Sequence, residues 1–123
     1  MFVIREAQFD ALAAARREDF VRCMMDALRA RFVAAAEMEG AALRELVEDG
    51  TAAAEGYGLY ADDEIEPFLG CRVVYGGEFP LGDNDDWARE LLDDDGLDSD
   101  AKALQLDAQL AAVEHLTDDT GDA

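Results

Sequence analysis

Residues 5–35 read REAQFDALAAARREDFVRCMMDALRARFVAA, and this stretch decides the fold class. It contains neither proline nor glycine, and its apolar residues recur at spacings of three, four or a double turn, which is the repeat of one helix face. The stripe consists of Phe9, Leu12, Ala13, Phe20, Met24, Leu28 and Phe32. Arg16 and Arg17 interrupt it, so two shorter helices that meet near Ala15 are the alternative. We predict one long helix.

A second helix is predicted over residues 37–55, and glycines mark its end. Gly56 and Gly58 follow this segment, and glycine readily adopts the left-handed backbone of a helix terminus. The apolar face of this helix comprises Met38, Ala42, Leu43, Leu46 and Val47. An apolar connector of Tyr57, Leu59 and Tyr60 then leads to the third element.

The third helix is predicted to begin at Asp62 or Asp63, because carboxylates favour the positive end of a helix and can cap its free amides. Pro67 should be tolerated only within the first turn. The run RVVY at residues 72–75 is β-branched and could form a strand, but a lone short strand has nothing to pair with, so helix is favoured. The buried face is expected to be Ile65, Phe68, Leu69, Val73 and Val74.

Two further helices complete the pattern. A short one runs from Asn84 or Asp85 to Leu92, and the loop before it should fold Phe79 inward. The last helix is capped by Asp98 or Ser99 and continues to about residue 115. The inward residues of these two helices are expected to be Trp87, Leu91 and Leu92, followed by Leu104, Leu106, Leu110 and Val113.

The elements therefore predict an all-α fold, a single irregular helical bundle of about five helices. At 123 residues the chain has the length of one domain, which we place at residues 1–115, with an acidic, disordered tail at 116–123. The predicted core is Phe9, Leu12, Phe20, Met24, Leu28, Phe32, Leu43, Leu46, Val47, Ile65, Phe68, Leu69, Leu91 and Leu110.

Charge is distributed unevenly along the chain. The sequence has 30 acidic and 10 basic residues, for a formal net charge of −20. Residues 1–50 hold seven Arg and ten Asp or Glu, a net −3, so the remaining 73 residues carry −17. Such a field repels nucleic-acid phosphates and anionic membranes and steers a basic partner. We expect a protein partner, with no direct nucleic-acid binding and no membrane binding.

Motifs for catalysis are missing from the sequence. It has one serine, Ser99, and one histidine, His115, a helix's length apart, and it contains no GxxxxGK[ST], GxGxxG or HExxH pattern. Cys23 and Cys71 have no neighbouring Cys or His, so we expect both to be buried, reduced thiols. The pattern predicts a protein that is not an enzyme and uses no cofactor.

A calcium loop can be tested against the acidic run at residues 93–100. If Gly96 held the sixth position of an EF-hand, Leu91 would be first and Lys102 twelfth, where the motif needs acids. The EF-hand is rejected, and no metal site is predicted. A looser divalent site at Asp83, Asp85, Asp86 or residues 93–95 remains the alternative to a solvated loop.

Targeting signals are also missing. Arg5, Glu6 and Asp10 interrupt the apolar start too early for a secretory signal, and no stretch has the roughly 18 to 20 apolar residues of a membrane span. The expected location is the cytoplasm.

The partner surface is predicted in the acidic second half, at two acidic loops near residues 62–66 and 83–86. Aromatic residues near glycines would anchor the partner, although they could equally serve in packing. The predicted partner-binding residues are Tyr57, Tyr60, Asp62, Asp63, Glu64, Glu66, Asp83, Asp85, Asp86 and Trp87.

The order of these signals resembles a group of small bacterial proteins encoded beside type VI secretion effectors and their chaperones. Most of the chain takes part in the resemblance. The residues that carry it are Ile4-Arg5-Glu6-Ala7-Gln8, Phe32, Tyr57-Gly58-Leu59, Asp62-Asp63-Glu64-Ile65, Gly76, Phe79, Trp87-Ala88 and Leu91-Leu92.

The resemblance implies an accessory role, a co-chaperone or adaptor that holds a secretion effector or its loading chaperone before export. Two alternatives remain open. One is an immunity protein that neutralises a basic toxin through an acidic surface, and the other is a DNA-mimic inhibitor of a nucleic-acid-binding protein. Charge does not separate the three, because each uses negative charge to steer a basic partner.

Overall fold

The computed structural model describes the backbone of residues 2–122 and the side chains of residues 14–113. Over that backbone the fold is all-helical, as the sequence predicts. The helices are α1 (Phe2–Arg31), α2 (Val33–Glu37), α3 (Gly40–Gly56), α4 (Asp62–Tyr75), α5 (Asp86–Leu92) and α6 (Ser99–Asp122). Among the described residues, no helix is both long and apolar enough to cross a membrane.

α4 lies at the centre of the bundle. It packs most extensively against α6 and α3 and also contacts α1 and α2, while α5 packs on α6. Nearly every residue of α4 from Glu64 to Cys71 is buried, because the helix is surrounded on several sides. The fully buried large side chains of the bundle include Phe68, Phe79, Leu28, Leu43, Leu59, Leu69, Leu92, Leu106 and Leu110.

Two glycines allow the helices around α4 to approach closely. A Cβ on Gly70 would lie 2.8 Å from Leu110 Cδ1 and 3.1 Å from Phe32 Cζ, and a Cβ on Gly50 would collide with a Leu69 methyl carbon. Real Cβ atoms almost never lie within 3.0 Å of another side chain, so both positions favour glycine.

The predicted single helix over residues 5–35 is wrong at its end. Phe32 adopts an extended backbone, with φ −121° and ψ 126°, and separates α1 from α2. The local hydrogen bonds survive, since the Phe32 amide donates to Leu28 O at 2.8 Å and the Ala36 amide to Phe32 O at 3.1 Å. At this break the Phe32 ring packs against Gly70 of α4. A tertiary contact, and not a local signal, therefore decides the bend.

Pro67 also departs from its prediction. It stands inside α4, beyond the first turn, and the helix continues to Tyr75. A proline there removes one helical hydrogen bond, at a cost of roughly 3 kcal/mol or more. Burial of the neighbouring Phe68, Leu69 and Cys71 offsets that loss. The segment at residues 72–75 is helical, which confirms the choice of helix over strand.

Most of the predicted core is confirmed, including the inward position of Phe79. Phe20, Leu46 and Leu91 are partly buried and pack against the core. Phe9 and Leu12 lie outside the described side chains, as does His115. α6 extends to Asp122, into the segment 116–123 predicted as a disordered tail, and the domain boundary at 115 stays a prediction.

Three inward assignments were wrong because neighbouring residues on a helix point about 100° apart. Leu104 is 70 % exposed, while Ala103, Leu106 and Leu110 form the buried side of α6. Ala42 is exposed next to the buried Leu43. Cys23 is exposed next to the buried Met24, whereas Cys71 is buried as predicted.

Candidate functional site

A buried carboxylate joins the first turns of α4 and α6. Glu64 accepts hydrogen bonds from the backbone amides of Tyr60 and Ala61, both at 3.2 Å. Its second oxygen accepts one from the Ser99 hydroxyl at 2.7 Å. Glu64 thus caps α4 by folding back onto its N-terminus, and it holds the start of α6 in place. Asp98, one of the two residues predicted as caps, caps α6 by accepting a hydrogen bond from the Ala101 amide at 2.9 Å.

Hydrogen bonding fixes the charge state of Glu64. The hydrogen bond from Ser99, followed by those from Asp100 and from the Ala61 amide, lowers the pKa of Glu64 to about 2. The same interaction with Glu64 raises the pKa of Asp100. Glu64 therefore loses its proton at a lower pH than Asp100, which lies at the surface beside it.

An open groove of about 530 Å³ lies between α4 and α6, next to this joint. Carboxylates line it together with Pro67, Ala103 and the exposed Leu104. No Arg or Lys lines it. The acidic lining residues are Asp63, Glu64, Glu66, Asp100 and Asp107. We call this feature the α4–α6 groove.

The α4–α6 groove retains an unbalanced negative charge. Of its acids, Glu64 is buried in the joint, and Asp107 accepts a 2.9 Å bond from Arg31. Asp63 and Asp100 are exposed, and Glu66 is half-buried. Apolar side chains beside exposed carboxylates suit a partner segment that carries both apolar and basic side chains.

The second predicted acidic segment, residues 83–86, lies in the loop before α5. Here Asp85 is buried, at 4 % exposure, and accepts a 2.9 Å bond from the Gly82 amide. Arg89 donates to the Pro80 and Gly82 carbonyls at 2.8 and 3.1 Å and pairs with Asp86. The loop is therefore held in one conformation, with Leu81 outward at 71 % exposure.

The two predicted acidic segments differ in their local structure. Residues 62–66 are the start of α4 and not a loop, and three of them line the α4–α6 groove. None of residues 83–86 lines that groove.

The ten predicted partner-binding residues separate into accessible and internal ones. Asp62, Asp63, Asp83, Asp86 and Tyr60 are exposed, Tyr60 at 68 %. Glu66 is half-buried. Glu64 and Asp85 are buried and serve as internal acceptors.

Tyr57 and Trp87 belong to an aromatic cluster that packs α4 against the 79–86 loop. Tyr57 lies 6.1 Å from Phe68, and Phe68 lies 5.5 Å from Phe79, between ring centroids. Phe79 in turn contacts Tyr75 and Trp87, at 5.7 and 5.9 Å. Both predicted anchors are half-buried, so packing accounts for part of each ring.

Sequence reasoning missed Leu104, Asp100 and Asp107 as members of the α4–α6 groove. One signal could have found Leu104. Leu104 and Leu106 are two residues apart, which places them on nearly opposite sides of a helix, so both could not face the core. The acids of α6 carry no such signal, because their position opposite α4 is set by helix packing.

The two cysteines have different surroundings, since Cys23 is exposed and Cys71 is buried. Among the described residues, no group of three or more His, Cys, Asp or Glu side chains is arranged to hold a metal ion. Burial raises the pKa of the Cys71 thiol to about 12, which keeps it protonated at neutral pH.

The chain was compared with protein families, curated proteins and solved structures, and none of the three comparisons gives a match. The functional argument therefore rests on the site itself.

Proposed function

We propose that this chain is a non-enzymatic accessory protein that binds a partner protein with a basic surface in the cytoplasm. Its most specific form is a co-chaperone or adaptor of a type VI secretion effector or of that effector's loading chaperone. The observation that carries the binding role is the α4–α6 groove, in which an exposed apolar side chain, Leu104, lies among carboxylates and no Arg or Lys is part of the lining.

The chemistry of the α4–α6 groove supports a basic partner. Asp63 and Asp100 are exposed, and among the residues lining the groove only Asp107 has a cationic partner, Arg31. A Lys or Arg side chain can place its aliphatic stem on Leu104 and Pro67 while its charged end meets a carboxylate. Rim charges of this kind act mainly on the rate of encounter and on specificity.

The hydrogen bond of Ser99 to Glu64 and the burial of Cys71 support the non-enzymatic part of the proposal. The Ser99 hydroxyl donates a hydrogen bond to the ionised Glu64 carboxylate, and no described histidine lies beside it as a base. Cys71 is fully buried, and its pKa is raised, which is opposite to the shift of a nucleophilic cysteine.

Co-purification with the products of the neighbouring genes tests the proposal. Each neighbour is co-expressed with the tagged chain, and the retained protein is identified by mass spectrometry. An adaptor is expected to retain an effector or a chaperone, and deletion of its gene should lower the amount or the secretion of that effector. If no neighbouring gene product is retained, the secretion role is wrong.

The same experiment separates the other two candidates. If the retained protein is a toxin whose lethality the chain abolishes, the chain is an immunity protein. If it is a nucleic-acid-binding protein that DNA displaces from the chain, the chain is a DNA mimic. Either result would replace the adaptor role while keeping the acidic surface as the binding site.

A further inference from the structure

Two arginines stand apart from all other cations in the described part of the chain. Between residues 14 and 113, every Arg and Lys except Arg16 and Arg17 has a polar partner. These partnerships are Arg22 with Asp19, Arg31 with Asp107, Arg44 with Glu18 and Glu48, Arg89 with Asp86, and Arg29, Arg72 and Lys102 with carbonyl oxygens. Among the described residues of this acidic chain, Arg16 and Arg17 are thus an exposed pair of cations without a polar partner in the fold.

Arg16, Arg17 and Asp19 lie on one lip of a groove between α1 and α3, with a volume of about 780 Å³, and Asp19 is paired with Arg22 at 3.7 Å. We call it the α1–α3 groove. Apolar atoms of Phe20, Val21 and Ile65 line it. The opposite lip belongs to α3, the connector and the start of α4, and its charged residues are Glu48, Glu55 and Asp62. The groove therefore has a cationic lip, an apolar centre and an anionic lip.

We propose that the α1–α3 groove is a self-association surface on which a second copy of this chain docks with two-fold symmetry. In that arrangement Arg16 and Arg17 of each copy face Glu48 and Glu55 of the other copy. The apolar residues of the two grooves, Phe20 foremost, meet between the charged lips.

Two-fold symmetry requires a surface that is complementary to itself. A patch that carries both charge signs around an apolar centre meets this condition, whereas a patch of one sign repels its own copy. The α4–α6 groove, whose charged lining residues are all acidic, belongs to the second class. Charge complementarity therefore selects a second copy for the mixed-charge α1–α3 groove, and it selects a basic partner for the α4–α6 groove.

This surface is separate from the one proposed for the partner. Asp63, Asp100 and Leu104 line the α4–α6 groove, and none of them lines the α1–α3 groove. Failure of self-association would thus leave partner binding untouched, and the converse also holds.

A charge-swap experiment tests the proposal. One variant carries Arg16→Glu and Arg17→Glu, and a second carries Glu48→Arg and Glu55→Arg. All chains also carry Cys23→Ser, because Cys23 is an exposed thiol in the groove and could form an artefactual disulfide. Sedimentation equilibrium then gives the mass of each variant alone and of the two mixed. Circular dichroism and thermal melting confirm that each variant is folded.

The wild-type chain should move from 13.4 kDa toward twice that mass as its concentration rises. Each variant alone should dissociate at least about 100-fold more readily, because its lips then carry like charges across the interface. Mixing the two should restore the dimer, since each reversed lip meets an opposite one. The single variant Ala30→Glu, at an exposed position of α1 that does not line the groove, should dimerise like wild type.

Two results would overturn the proposal. One is a wild-type chain that stays at 13.4 kDa up to about 1 mM, which excludes any useful self-association. The other is a mixture in which the two reversed variants remain monomers, because a dimer held by these lips must be rescued by the swap.

Discussion

The Ser99 hydroxyl donates a 2.7 Å hydrogen bond to Glu64 Oε2 and so joins the first turn of α6 to the first turn of α4. Glu64 Oε1 meanwhile accepts from the amides of Tyr60 and Ala61 at the N-terminus of α4. A single carboxylate thus connects the N-termini of the two helices that form the α4–α6 groove.

Replacement of Glu64 by glutamine should make stability less dependent on pH. The pKa of Glu64 is lowered from 4.5 to about 2, so its stabilising effect is complete above pH 4.5 and is lost as the pH falls toward 2. The wild-type chain should therefore be more stable than Glu64→Gln at pH 7, and the difference should disappear near pH 2.

This comparison needs a fixed background and a control. Asp100 titrates with the opposite shift, so both chains should carry Asp100→Asn. Glu66→Gln, on the same helix, provides the matched control and should show no such trend. Urea unfolding at several pH values measures the difference, and a gap that stays constant from pH 7 to pH 2 would contradict the assignment.

Truncation of Phe79 should strongly destabilise the fold. Its ring is fully buried and contacts Phe68, Tyr75 and Trp87, so Phe79→Ala removes the centre of the aromatic cluster. We expect a loss of about 3–5 kcal/mol in the free energy of unfolding. Leu81→Ala, two residues away and 71 % exposed, should change it by no more than about 0.5 kcal/mol. Similar losses for the two variants would show that the loop is packed differently.

Addition of a single methyl group should distinguish two glycines. Gly70→Ala should cost about 1–3 kcal/mol, since its Cβ would press on Leu110 and on the Phe32 ring. Gly56→Ala should instead stabilise by about 0.4–1 kcal/mol, because a Cβ there meets no atom within 4 Å and alanine restricts the unfolded chain. The urea midpoint measures both, and a stabilising Gly70→Ala would mean that α4 and α6 lie further apart.

Charge reversal in the α4–α6 groove should slow association with the captured partner protein. Asp63→Lys with Glu66→Lys is expected to lower the association rate about tenfold or more at low salt. Glu37→Lys with Glu39→Lys changes the net charge equally at exposed sites outside the groove and should have a smaller effect. Stopped-flow or surface-binding kinetics give both rates. Equal rates for the two variants would mean that only overall charge matters.

Salt provides an independent check on the same surface. Because ions screen exposed charges beyond about 8 Å at physiological ionic strength, the difference between the two variants should shrink as salt is raised. Asp83→Lys can test the second acidic segment in the same way, because Asp83 is exposed. Asp85 and Asp86 are unsuitable for this purpose, since reversal would break the bond from the Gly82 amide to Asp85 or the pair between Asp86 and Arg89.

The candidate site shows where sequence reasoning stops. Asp62, Asp63, Asp83 and Asp86 were expected at the surface and are exposed. Glu64 and Asp85 belong to the same acidic stretches as these residues but are buried as hydrogen-bond acceptors. Whether an acid faces solvent depends on which amides and hydroxyls lie within reach, and those belong to other turns and helices.

The sequence by itself determined the helical class, the approximate helix positions and most of the core, because these depend on local periodicity, caps and turn residues. The tertiary structure decided the bend at Phe32 and the burial of Pro67 within α4. It also brought Asp63 of α4 beside Asp100 of α6 in one groove. Each of these depends on contacts between residues far apart in the chain, for which periodicity along one helix holds no information.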